Sequence, residues 1–192
     1  GMYFLIGAWG HGDARRSALK FFVYTFAGSL ALLLAILGLY LATEPRTFDM
    51  AEIIRQQPLP AGGVYATLVF LGFLIAFAVK APLLPFHGWL RTAYTEAPPE
   101  IAALLSGVVS KAAVFGLVWI VLPHFPEPVS NWRTVVLVLA SVTIVYGSLL
   151  AFRQPDARGV IAYSSMGQMG LIVLGIFAVN DLGDAATMAH LL

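Results

Sequence analysis

Two lysines stand inside apolar stretches, where charge is expensive. Lys111 lies eleven residues into a run that starts at Ile101, and Lys80 lies near the end of one that starts at Val64. A lysine at the centre of a bilayer is unfavourable by about 2.5–3.5 kcal/mol, and snorkelling reaches only a few ångströms toward water. Desolvation disfavours the ammonium and makes such a lysine titratable, so the chemistry on offer is proton or ion movement. The competing reading is structural: Lys111 paired with a carboxylate for assembly, Lys80 anchored at an interface. Around Lys111, the residues Ala103, Ser106, Gly107, Ser110 and Ala113 are small, which leaves room for a partner helix or water. Lys80 precedes Pro82 and Pro85 in AVKAPLLPFHGWL. Each proline removes an amide donor and clashes with the turn before it, so the helix should break there and free carbonyls toward a cavity.

Other polar residues add milder possibilities. His87 follows the break and His190 lies near the chain's end, and either imidazole would change charge near neutrality. His11 and His124 fall in connections and read as solvated. No span holds two histidines, which argues against a bis-histidine haem. Ser164, Ser165, Gly167 and Gln168 open the fifth span and read first as hydrogen-bonding glue between helices. Glu96 and Glu100 flank Pro98 and Pro99, where a carboxylate near a helix N-terminus is favourable on dipole grounds.

The elements that must position these groups follow from composition. The 192 residues are 59% hydrophobic and only 11% charged, less than half the roughly 25% charge of a soluble domain. Mean hydropathy is +0.85, and the apolar residues come in long runs. A soluble globular enzyme is therefore excluded, and the fold class is all-α, a polytopic transmembrane helix bundle. Crossing the hydrocarbon takes about 20 residues of helix. Five segments come close or qualify: 21–43, 64–84, 101–123, 134–152 and 161–179. Residues 1–10 read as the end of a further span and 185–192 as the start of another, so the chain reads as a fragment with no cleavable signal peptide. Arg15, Arg16, Lys20, Arg91, Arg153 and Arg158 fall on one side; Arg46, Arg55 and Arg133 fall on the other with Glu44, Asp49, Glu52 and Glu127. The positive-inside rule makes the first side cytoplasmic. The net charge of +1 points to no nucleic acid, and with no cysteine there is no disulfide or thiolate site. Walker, dinucleotide, zinc and nucleophile-elbow motifs are absent from the sequence.

The stretches AFAVKAPLLPFHGWLRTAYTEAP and LLSGVVSKAAVFG resemble the core signature of the proton-translocating antiporter-like membrane subunits of respiratory complex I. MYFLIGAWG, RRSALKFFVYTFAGSLALLLAILGLY and GVIAYSSMGQMG resemble the chain M (mitochondrial subunit 4) branch, and the order is kept from Met2 to the end. This resemblance implies two inverted repeats, each with a discontinuous helix: most of the first in residues 1–132 and the opening helices of the second in 133–192. It implies proton translocation coupled to quinone reduction elsewhere, with Lys80 as the central protonatable group. Lys111 and His190 would pass protons along a hydrophilic axis, and His87, Ser164, Ser165 and Gln168 would be accessory. Flavin, iron–sulfur clusters and quinone would belong to other subunits, this chain holding no cofactor or metal. The partners implied are other membrane-arm subunits, sister antiporter-like subunits among them, and the lipid bilayer. A bacterial inner membrane is the location implied. A multi-subunit cation/proton antiporter and the pump module of a membrane-bound hydrogenase share the fold and the lysines. The sequence also departs from the family: Arg91 and Thr92 replace a usual Pro-Asp pair, Ala102 stands where a serine is common, and Gln168 stands where chain M members often have a histidine. The glutamate that pairs with the lysine in the family would lie upstream of Gly1.

Overall fold

The computed structural model describes residues 1–59 and 63–178, all of the regular elements helical. They are α1 (Met2–Trp9), α2 (Ala14–Ala42), α3 (Met50–Gln56), α4 (Val64–Lys80), α5 (Leu90–Glu96), α6 (Pro99–His124), α7 (Pro126–Phe152) and α8 (Ala157–Ala178). His190 and the span expected at 185–192 lie outside the described residues. The helices α2, α6, α7 and α8 are each long and apolar enough to cross a membrane, while α4 is shorter at 17 residues. Lipid-facing side chains such as Leu34, Leu68 and Phe152 are left exposed, as expected where the solvent is hydrocarbon and helices associate by close packing.

That packing is closest at small residues. A Cβ on Gly147 of α7 would stand 3.0 Å from the amide nitrogen of Gly167 on α8, and one on Gly170 would stand 3.1 Å from the Ala140 carbonyl oxygen. A Cβ on Gly116 of α6 would collide with the Phe77 ring of α4. Two apolar clusters result. The larger gathers Phe70, Phe73 and Phe77 with Val121, Phe125, Met169 and Val173. The smaller gathers Ile6, Phe21, Trp89, Leu90, Leu105 and Met166.

The expected spans are present with shifted ends. α4 stops at Lys80, four residues before the expected Leu84, because Pro82 cannot continue the ladder. α2 and α7 start earlier, at Ala14 and Pro126, because basic residues and prolines are tolerated in a first turn that apolar counting omits. The division expected after residue 132 therefore falls inside α7. Two short helices were not anticipated. Asp49 caps α3 by accepting the Ala51 amide at 3.0 Å, with Glu52 three residues on, a start signal visible in the sequence. α5 carries no such signal. Glu100 does lie in the first turn of α6.

Contacts join the helix ends in two groups. At one, the His11 amide donates to the Glu96 carbonyl and Arg158 donates to Thr95 and Ala97. At the other, Arg133 donates to the Phe177 and Ala178 carbonyls at the end of α8.

Candidate functional site at the helix break

The break is a designed interruption with its backbone groups accounted for. After Lys80 the chain runs through nine residues of turns before α5 resumes at Leu90. Carbonyls at the end of α4 lose their helical donors there, and an unmet buried carbonyl costs stability. The Val79 carbonyl is met by the indole Nε1 of Trp89 at 3.0 Å, a ring with no exposed surface. The Ala78 carbonyl accepts from Leu83 at 3.0 Å. The Leu84 amide crosses to α7 and donates to Thr143 Oγ1 at 3.1 Å, and Thr143 is wholly buried. Ala81 and Leu83 belong to the larger apolar cluster and Trp89 to the smaller, so the break bridges the two.

Lys80 sits in the last turn of α4, half-buried. The C-terminal dipole favours a cation at such a site. Among the described residues no carboxylate pairs with it. Pro82 is buried and Pro85 exposed, so one closes the helix and the other lies on the turn's outer side.

Lys111 is placed differently. Its side chain is exposed on the outer face of α6, and Nζ donates to the Ser106 carbonyl at 2.9 Å. The buried face of that turn is taken by Ser110 and Ala113. One lysine is thus half-buried at a break and the other is exposed among the described residues. α6 also widens twice, over Leu105–Val109 and Leu117–Val121, where the hydrogen bonds reach five residues back. Such π turns occur often at functional sites, and these two flank Lys111. Sequence reasoning had no signal for them beyond the small residues.

The accessory residues divide likewise. His87 is half-buried, with its ring edge-on to Tyr146 at 5.4 Å and Nδ1 without a partner among the described residues. Ser165 is buried, whereas Ser164 and Gln168 are exposed and line an open groove of about 570 Å³ between α7 and α8. His124, expected as a solvated loop residue, closes α6 with Nδ1 2.7 Å from the Ile120 carbonyl oxygen. No group of three or more His, Cys, Asp or Glu able to hold a metal occurs among the described residues.

Around the arm beyond the break, charge is concentrated. Arg91 Nη2 lies 3.3 Å from Asp156 Oδ1. The Gly159 amide donates to Asp156 Oδ2 at 2.8 Å. That amide first, and then Arg91, hold the Asp156 carboxyl below the usual carboxylate range.

Residues 1–192 match the family model described as "NADH:quinone oxidoreductase/Mrp antiporter, TM". The chain belongs to this family. NADH-quinone oxidoreductase subunit M of Mycobacterium tuberculosis is 39% identical over 201 residues, covering all of this chain and 36% of that protein. A chain of respiratory complex I from Thermus thermophilus, solved with bound NADH, superposes with a TM-score of 0.84 at 32% identity, over 92% of this chain and 37% of that one. A chain of the membrane-bound sulfane sulfur reductase, an archaeal respiratory membrane complex, gives 0.75 at 30% identity, over 90% and 35%. The chain thus spans little more than a third of these relatives. It is part of an integral membrane, antiporter-like protein, with the helical bundle expected of it.

Proposed function

We propose that this chain is part of a proton-translocating membrane subunit of an NADH-quinone oxidoreductase, with no redox chemistry of its own. The observation that carries the reading is the break itself: an apolar helix that ends on Lys80, with the Val79 carbonyl met by Trp89 and the Leu84 amide met by Thr143. An anchor lysine at a membrane surface needs no such housing. Lys80 would hold its proton while a carboxylate stands near, and release it when that charge withdraws into low dielectric. Lys111 and His190 would carry the proton laterally, and His87, Ser164, Ser165 and Gln168 would support the path. The first repeat would take in residues 1–132 and the second would begin at 133, within α7. Flavin, iron–sulfur clusters and quinone would lie in other subunits. The partners would be further membrane-arm subunits, sister antiporter-like chains among them, in a bacterial inner membrane.

The family description and the likeness to the archaeal reductase favour a second reading, a pump or cation/proton antiporter module serving another complex. It predicts the same lysine chemistry, with a different electron acceptor for a pump module and no electron transfer for an antiporter.

The test is proton pumping and quinone reduction, measured together in vesicles carrying the full parent complex with Lys80→Ala. Both should fall by about tenfold or more while the complex still assembles, as loss of a group handling protons does. Unchanged pumping and turnover would make Lys80 an anchor and end the proposal.

A further inference from the structure

We infer that Arg91 and Asp156 are a positioning pair that ties the arm beyond the helix break to the connection between α7 and α8, so that the break and those two helices move together. The inference rests on the pumping role proposed above and assigns two residues to it that the lysine path does not include.

Three attachments hold segment 84–97 to the following helices. At its start, the Leu84 amide donates to Thr143 of α7 at 3.1 Å. In its middle, Arg91 on the first turn of α5 meets Asp156 at 3.3 Å across 65 residues of sequence. At its end, Arg158 Nη1 donates to the carbonyls of Thr95 at 2.9 Å and Ala97 at 3.3 Å, taking up acceptors that the end of α5 leaves free. Asp156 is itself fixed, since its other oxygen accepts the Gly159 amide in the first turn of α8. A shift of α8 therefore reaches α5 through the Asp156 carboxylate as well as through Arg158, and α5 is the first helix after the break.

An isolated ion pair of this exposure, with the side chains 43% and 40% accessible, adds little to stability. Its position gives it another use. It joins the broken helix to the two helices after α6, and a link of modest strength can be made and broken as the break moves.

The experiment compares Arg91→Ala, Asp156→Asn, the double variant and Arg91→Lys in the full complex in vesicles, reading protons pumped per quinone reduced. Each single charge loss should lower that ratio about two- to fivefold, the low end of the effects expected of coupled residues. The double should be no worse than the more severe single, and Arg91→Lys should restore most of the ratio. Should Arg91→Ala fail to assemble, Arg91→Gln, which keeps length without charge, carries the same expectation. Additive losses, or an unchanged ratio with only a lower melting temperature, would show a merely structural contact and overturn the inference. Lys80→Ala run alongside separates the two ideas. If Lys80→Ala abolishes pumping while the Arg91 series keeps its ratio, only this inference fails; if Lys80→Ala is silent, the pumping role fails and takes the inference with it.

Discussion

Around Lys80 the backbone gives way, whereas around Lys111 the helix stays continuous and only its hydrogen-bond spacing changes. At the first, displaced amides and carbonyls are taken up by a buried indole and by a threonine from α7. At the second, the Ser110 amide reaches the Leu105 carbonyl, and the ammonium turns back to the Ser106 carbonyl on the same helix. One lysine is thus organised by the tertiary structure and the other by its own helix. The difference teaches where a substitution will be felt. Changes at the break should propagate into α7 and α8, while changes on the outer face of α6 should stay local.

Four measurements break or sharpen that comparison, beginning with the largest effect. Pumping in the full complex should drop about tenfold or more for Lys80→Ala, and Lys111→Ala should cost less than Lys80→Ala. Equal losses would mean that the two sites are not organised differently. Next, Gly116→Leu forces a side chain into the Phe77 ring and should destabilise by about 1–3 kcal/mol. Gly107→Ala, on the outer face with nothing within 4 Å of its Cβ, should be neutral or stabilising by up to about 1 kcal/mol. Thermal melts of the detergent-solubilised protein read both, and similar losses would erase the distinction between the faces of α6.

Thr143→Val keeps shape but leaves the Leu84 amide without its acceptor in a buried setting, at a cost of about 1–3 kcal/mol. The same melts should show it, with Ser141→Ala as the silent control, because that exposed hydroxyl bonds only within its own helix. The smallest effect concerns pH. The folded Asp156 carboxyl is depressed by the Gly159 amide and then by Arg91. Its contribution is therefore complete above the unfolded carboxylate value of about 3.9 and is lost as pH falls through the lower folded value. Melting temperature should lose a small acid-side component in Asp156→Asn while staying level from pH 5 to 8. A change above pH 5 would contradict the assignment.

The break was legible because proline acts locally: Pro82 stops a helix whatever surrounds it. The housing of the break was not, because Thr143 lies 59 residues away from Leu84 and nothing in its own neighbourhood marks it as an acceptor. Lys111 shows the same limit from the other side. Its depth along α6 could be counted from Ile101, but which way it faces depends on how α6 sits against α4. That is settled by Gly116 meeting the Phe77 ring and by the widened turns on either side of the lysine. The short arm α5 gives little warning, since seven residues offer no helical period long enough to read.

By itself the sequence determined the class of molecule, the approximate limits of its described helices, the break after Lys80 and the family. Each of these depends on local chemistry: apolar run length against bilayer thickness, missing amides at proline, and charge kept to connections. Only the tertiary structure decided that Lys80 is half-buried while Lys111 faces outward, and that Arg91 finds Asp156. Those outcomes depend on which helix faces touch, and contact between residues far apart in the chain is set by packing that no single segment encodes.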